Sequence, residues 1–297
     1  MKERINTIST YLKETLGAKT VKLSLDGGFT CPNRDGTKGT GGCLFCSAAG
    51  SGDNASTIKG QIQLLSAKWP NAKYLAFFQS HTATYAPVSH LRKLYGSALA
   101  DPRICGLVIA TRPDCLPMET LDLLSEIARD HFLWVELGLQ TVHPATAKAM
   151  NLCYTYQDYQ MALAALQARH IPVVTHLILG LPGETRAQMF QSVQEVCAGH
   201  PWGLKLHLFN LVKGAPLASQ MPHYVPFDRM EDYVSLVCDL LEVIPPDILI
   251  HRLTGDVPYR LLLSPSWSYR KRTILNEIQA EMKRRDSWQG QKSLRER

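Results

Sequence analysis

The chain has 297 residues, 45% hydrophobic and 20% charged, with 32 Lys+Arg against 26 Asp+Glu for a net charge of +6. That composition excludes collagenous and disordered chains. No run approaches the roughly 18 uncharged apolar residues of a membrane span, and the opening MKERINTISTYLKE is charged rather than apolar, so a cytoplasmic protein with no membrane partner is expected.

Apolar residues at Ile5, Ile8, Leu12 and Leu16 give residues 4–16 the period of an amphipathic helix. KTVKLSL (19–25) alternates as a strand, and a loop rich in Gly, Asn, Asp and Ser runs on to Asn54. Loops of such length in compact domains are usually functional. A rhythm follows: helix 56–69, strand 73–79, helix 89–100, strand 105–110, helix 118–129, strand 132–139, helical material to about 169, strand 172–178, helix 184–198, strand 204–210 and helix 228–243. Residues 247–253 offer a seventh strand, and 268–285 a closing helix. Repeated βα units imply parallel strands joined by right-handed crossovers. One α/β domain is expected, a full or partial parallel barrel, with a doubly wound sheet as the competing architecture.

Alternation along strand 132–139 places Trp134, Glu136, Gly138 and Gln140 on one face and Val135, Leu137 and Leu139 on the other. The aliphatic face suits the surrounding helices, so Glu136 and Gln140 point inward, where a carboxylate needs a cation or a ligand. In the strand at 204–210, Lys205, His207 and Phe209 share the inward face. Lys205 and His207 are candidates for binding a substrate anion or relaying a proton, or else form structural pairs. The strand ends gather Gln79–His81, Thr111–Asp114, Glu136–Gln140 and Gly180–Gly183, the end at which parallel barrels carry their sites.

Eight cysteines are too sparse for a disulfide scaffold in a chain this long, so their spacing matters more than their number. Cys31, Cys43 and Cys46 lie on one glycine-rich loop with no histidine between 31 and 56. Structural zinc prefers four closed ligands, whereas three thiolates suit a four-iron cluster with one iron open to a small ligand. Cys105, Cys115, Cys153, Cys197 and Cys238 have no ligand spacing and read as small buried hydrophobes.

With this loop after the first strand, the sequence resembles the radical S-adenosylmethionine superfamily, whose usual Cys-x3-Cys-x2-Cys follows the first strand of a partial (β/α)6 barrel. Here eleven residues stand in the first gap, as in a bacterial subgroup similar to the radical domain of the elongator catalytic subunit. Thr111-Arg-Pro-Asp114, Glu136-Leu-Gly-Leu-Gln140 and His176-Leu-Ile-Leu-Gly-Leu-Pro-Gly-Glu184 look like that subgroup's strand motifs. The resemblance implies three parts: an N-terminal helix (1–18), a radical S-adenosylmethionine barrel (19–250) and a C-terminal extension with a basic tail (251–297). It implies a [4Fe-4S] cluster on Cys31, Cys43 and Cys46, and S-adenosyl-L-methionine bordered by Phe45 and held on the ribose by Glu136. Gln79 and Ser80 stand where the family commonly has the Gly-Gly-Glu that holds the methionine amine. Arg112 and Gln140 are strand-end candidates for the same cofactor. Gly180 and Gly183 would let backbone approach the adenosine, although Gly-Leu-Pro-Gly also reads as a plain turn. The activity implied is formation of a 5′-deoxyadenosyl radical, fed by a small flavodoxin- or ferredoxin-type electron donor.

From Tyr269 to the end nine Lys/Arg face four Asp/Glu, which places +5 of the total +6 in the tail. Together with the resemblance this suggests tRNA as partner. The 297 residues do not include that subunit's acetyltransferase domain, so later tailoring of wobble uridine, 5-carboxymethylaminomethyl to 5-aminomethyl, is expected rather than attachment of the carboxymethyl group. The alternatives are a radical oxidase acting on a small molecule, which would ignore RNA, and a zinc-stabilised RNA-binding module, which would hold zinc without iron or sulfide.

Overall fold

The computed structural model describes residues 3–50, 52 and 54–293. Helix α1 (Ile8–Leu16) leads into strand β1 (Thr20–Leu25), and after the long loop the chain alternates through α2 (Ile58–Ser66), β2 (Lys73–Phe78), α3 (Val88–Leu99), β3 (Ile104–Thr111), α4 (Met118–Asp130) and β4 (Phe132–Gln140). Next come α5 (Pro144–Ala149), α6 (Tyr156–Gln167), β5 (Val173–Leu179), α7 (Arg186–Ala198) and β6 (Gly203–Leu208). The order closes with β7 (Leu211–Val212), α8 (Pro216–Gln220), α9 (Met230–Val243), β8 (Leu249–Arg252), β9 (Leu262–Ser264) and α10 (Lys271–Arg284). Local sequence sets several of these boundaries. Thr155 and Thr185 cap α6 and α7, with Asp158 and Gln188 reaching back to complete capping boxes.

Strands β1 to β6 lie side by side in chain order and β8 joins β6, with every pairing parallel. An order without reversal has no topological switch point, which removes the doubly wound alternative. The seven strands curl into a partial barrel in which β1 and β8 do not pair. Helix α1 packs against both of those edge strands, and the backbone before it bridges Thr7 to Ile250. Its Leu12 joins Leu75, Phe77, Val108, Trp134 and Val174 in an apolar cluster that fills the lower barrel. A larger cluster lies between the outer sheet face and the helices, including Leu107, Val135, Leu137, Leu177 and Leu206. The site is therefore confined to the upper barrel.

Several expectations change. The helical stretch before 169 is two helices, because Asn151 and Cys153 take φ of +54° and +58° where the chain turns back over the cysteine loop. Cys115, Cys197 and Cys238 are buried as expected, but Cys105 is half-buried and Cys153 exposed. The short antiparallel pair β7–β9 has no periodic signature in the sequence.

The tail is not a free basic arm. Helix α10 buries Ile274, Ile278 and Met282 and packs on α9. Arg284 pairs with Glu281, Arg285 pairs with Glu281 and Asp239, and Lys292 pairs with Glu242. Residues 294–297 lie outside the described residues. No helix among the described residues is long and apolar enough to cross a membrane.

Candidate functional site

A cavity of about 470 Å³ opens at the carboxyl ends of the strands. Cys31, Cys43 and Cys46 line it together with Phe45, Gln79, Arg112, Glu136, Gln140, Lys205 and His207. Ser80, Gly180 and Gly183 are not in this lining. Ser80 is buried behind Gly52, where an added Cβ would lie 2.1 Å from its Oγ. The open side of Gly180 is closed by Phe227 and Pro226, each 2.7 Å from the position of a Cβ. Gly183 takes φ +82° in the turn before α7, where Glu184 N donates to Leu181 O, so the turn reading describes it.

The long gap between Cys31 and Cys43 is folded away. Gly42 N donates to Asn33 O at 2.8 Å, pinching residues 34–41 into an excursion, and Lys38 N and Gly39 N close it further on Pro32 O. Through the pinch the path reads Cys31-Pro32-Asn33, then Gly42-Cys43, which leaves three residues between the thiols. Cys46 N then donates to Cys43 O at 2.9 Å in a tight turn. Asn33 anchors the pinch: it is fully buried, its Nδ2 donates to Asn151 O and lies 3.6 Å from Cys43 Sγ, and Cys153 Sγ lies 3.1 Å from its Oδ1. Asn151 Nδ2 in turn donates to Gly42 O at 2.8 Å. The turn after α5 therefore holds the cysteine loop in place.

Arg112 ties the loop to β3. It is bidentate to Asp114 at 2.9 Å, its Nη1 lies 3.6 Å from Cys31 Sγ, and its guanidinium sits 4.9 Å from the Tyr154 ring centre. Burial, reinforced by neighbouring Cys46 and opposed by Asn33 and Arg112, pushes the Cys43 thiol up to about 12. Crowded thiols of this kind ionise readily only beside a cationic centre.

Below the cysteines, Glu136 is completely buried and surrounded by donors. Oε1 receives Lys22 Nζ at 3.1 Å and Trp134 Nε1 at 3.2 Å, while Oε2 receives His176 Nε2 at 3.0 Å and the Lys205 ammonium. Burial alone would raise this carboxyl, but Lys205, Lys22 and the His176 hydrogen bond outweigh it and hold Glu136 well below the usual carboxylate range. Burial, with Lys205 adding to it, lowers His176 to about 4, so its imidazole is neutral at pH 7. With four donors on its two oxygens Glu136 is committed to the buried network, where the sequence led to the expectation of a ribose contact.

Two family models match most of the chain. The model of the radical SAM superfamily covers residues 35–196, and that of the Radical_SAM C-terminal domain covers 201–284. The chain belongs to the radical SAM superfamily. It is 43% identical over 297 residues to the uncharacterized protein YtqA of Bacillus subtilis, spanning 97% of this chain and 92% of that one. More distantly, it is 24% identical over 169 residues to the tRNA uridine(34) acetyltransferase of Methanocaldococcus jannaschii, or 55% of this chain and 30% of that one. The solved Elp3 of Methanocaldococcus infernus superposes with a TM-score of 0.65 at 16% identity, covering 78% of this chain and 59% of that one, and so shows the shared fold.

The cofactors of this radical SAM protein are a [4Fe-4S] cluster and S-adenosyl-L-methionine. Its donor set fits them. Three cysteine side chains line one cavity, with amide and guanidinium groups beside two of the sulfurs and room for a nucleoside-sized molecule. Three thiolates leave one iron open. From the sequence, Asn33, Asn151 and Lys22 had been given no role, and His176 was quoted only within a strand motif. Lys22 and His176 carried a signal, since each is a polar residue in an alternating strand.

Proposed function

We propose that this radical SAM enzyme tailors the wobble uridine of tRNA, converting the 5-carboxymethylaminomethyl group to 5-aminomethyl in the cytosol, with electrons from a small flavodoxin- or ferredoxin-type donor. The observation that carries the RNA reading is the rim of the cavity beside Pro258 and Leu261. Tyr259 and Tyr269 are 74% and 52% exposed and meet edge to face at 5.2 Å, with the Arg270 guanidinium 5.7 Å from the Tyr269 ring. Arg260 and Arg272 are exposed nearby, and Lys271 reaches Asp256 at the rim. Exposed aromatics interleaved with cations suit unstacked bases and phosphates. Similarity to the tRNA uridine(34) acetyltransferase of Methanocaldococcus jannaschii supports uridine in tRNA as the substrate class.

When bound, the cluster and S-adenosyl-L-methionine supply a carbon radical that can remove hydrogen from an unactivated C–H bond. The substrate methylene between amine and carboxylate would give one hydrogen atom to that carbon radical and one electron to an oxidised iron–sulfur acceptor, while the amine N–H proton passes to water, to leave an imine. Water adds to it, glyoxylate leaves, and the amine stays on the uridine. The chain's own residues hold the cysteine loop through Asn33 and Arg112, and line the cavity that would receive the reacting carbon.

The test is mass spectrometry of tRNA nucleosides from a strain lacking the gene, followed by reconstitution. Accumulation of the carboxymethylaminomethyl nucleoside in the strain, and its conversion with release of glyoxylate by reconstituted enzyme, is the expected outcome. An unchanged nucleoside profile, together with no consumption of the modified tRNA by enzyme that cleaves S-adenosyl-L-methionine, refutes it.

A further inference from the structure

The cavity carries more cations than its carboxylates balance in the corner between β6 and β8. Lys205 and Arg252 are paired residues of those strands, and Lys22 approaches the same group from β1. Two carboxylates meet these three cations. Glu136 is saturated by its four donors, and Asp256 divides itself between Arg252 at 2.9 Å and Lys271 at 3.1 Å. A surplus cation in a site of low dielectric is costly until an anion joins it. Burial works against the charge on Lys205, and Lys22 and Arg252 add to that pressure while Glu136 opposes it.

His207 lies two residues beyond Lys205 on β6, with its ring 5.0 Å from that of His176. Its Nε2 is sealed from solvent and has no hydrogen-bond partner among the described residues, although the residue lines the cavity. A buried polar nitrogen without a partner usually marks a place that a ligand completes.

We infer that Lys205, Arg252 and His207 form a subsite for a carboxylate of the substrate. The carboxylate takes charge-assisted bonds from the ammonium and the guanidinium, and a third from the imidazole Nε2–H. Lys205 is only 3% exposed, so the subsite receives an end group that reaches into the barrel rather than a backbone phosphate. The inference deepens the proposed function and rests on it for its main probe: the carboxymethylaminomethyl group ends in a carboxylate and the aminomethyl product does not. Loss of that anchor on conversion provides for product release.

The experiment uses reconstituted holoenzyme and two anticodon stem-loop RNAs that differ only in carrying carboxymethylaminomethyluridine or aminomethyluridine. Wild type is expected to bind the first more tightly by roughly ten- to a hundredfold, the effect of one or two charge-assisted hydrogen bonds. R252Q and H207L each remove most of that preference. H207L keeps a thermal midpoint within a few degrees of wild type, because Nε2 has no partner to lose and leucine fills the place of the ring. Preference retained in both variants overturns the subsite. An equal loss of S-adenosyl-L-methionine binding in R252Q and H207L, measured by equilibrium dialysis, overturns it by assigning the anion to the cofactor. If wild type binds neither RNA, the RNA reading has failed and N-methylglycine, the end group as a free molecule, decides the subsite. A midpoint raised by N-methylglycine over equimolar methylammonium chloride, and not raised in R252Q, supports it; no rise in wild type overturns it.

Discussion

Replacing Glu136 with glutamine keeps the shape of the buried network and removes its only fully buried negative charge. Lys22 at 3.1 Å from Oε1 corresponds to about 5 kcal/mol of attraction at an effective dielectric near 20. That figure is an upper bound, since the Lys22 side chain is 28% exposed and can turn to water. Lys205, with 3% exposure, cannot. The expected cost is therefore that of breaking a buried pair, about 3–5 kcal/mol, a large fraction of a typical domain's stability. E136L/K205M, which removes the buried ammonium together with the carboxylate, should recover part of the loss, since Lys22, Trp134 and His176 still lose their acceptor. Urea denaturation at pH 7.5 measures both, with midpoint and slope fitted together. Wild-type stability in E136Q, accompanied by a selective loss of S-adenosyl-L-methionine affinity, would refute the reasoning and return Glu136 to the ribose.

Other consequences can be measured separately. N33A removes the anchor of the pinch and should lower the iron retained after reconstitution several-fold, read by metal and sulfide analysis, while costing only about 1–3 kcal/mol of stability. R112Q takes the guanidinium from Cys31 and should alter the electron paramagnetic resonance signal of the reduced cluster, whereas an unchanged signal would separate Arg112 from the cluster. Burial lowers His176 to about 4 and His207 and His251 well below their usual value. The unfolded chain therefore takes up protons below pH ~6.5 that the folded one refuses. Stability should be full above that pH and fall toward pH 4 by up to about 4 kcal/mol per unit, a slope that H207L reduces by about one third. Replacing Arg260, Arg270, Lys271 and Arg272 together with glutamine should weaken tRNA binding and reduce its salt slope by roughly 3–4, provided all four meet phosphates. Deleting 271–297 should instead unfold the protein, since it strips Ile274, Ile278 and Met282 from the core.

What was legible in the sequence followed from short periods. Alternation at Glu136 and Gly138, and at Lys205 and His207, identified cavity-facing residues because a strand has only two faces. Partners from distant parts of the chain were not legible. Glu136 is held by residues of three other strands, so a lone inward carboxylate looked available for a ligand. The tail's charges looked free because Asp239 and Glu242, which meet Arg285 and Lys292, lie on α9. Gly180 looked open to the adenosine because nothing local announces Phe227 and Pro226 against it. The cysteine spacing looked anomalous because the pinch closes within the loop and its anchors, Asn151 and Cys153, come from far along the chain.

That pinch separates two quantities that a linear reading treats as one, the number of residues between two ligands and the distance the chain must travel. Once Asn33 and Gly42 are joined, residues 34–41 act as a side branch whose length is uncoupled from the position of either thiol. The branch is also where the loop meets its surroundings, through Thr37 on the Tyr85 hydroxyl and Lys38 on Asp114. Residues can be gained, lost or exchanged there to suit a neighbour, while the sulfur geometry stays fixed by one backbone hydrogen bond and one buried asparagine.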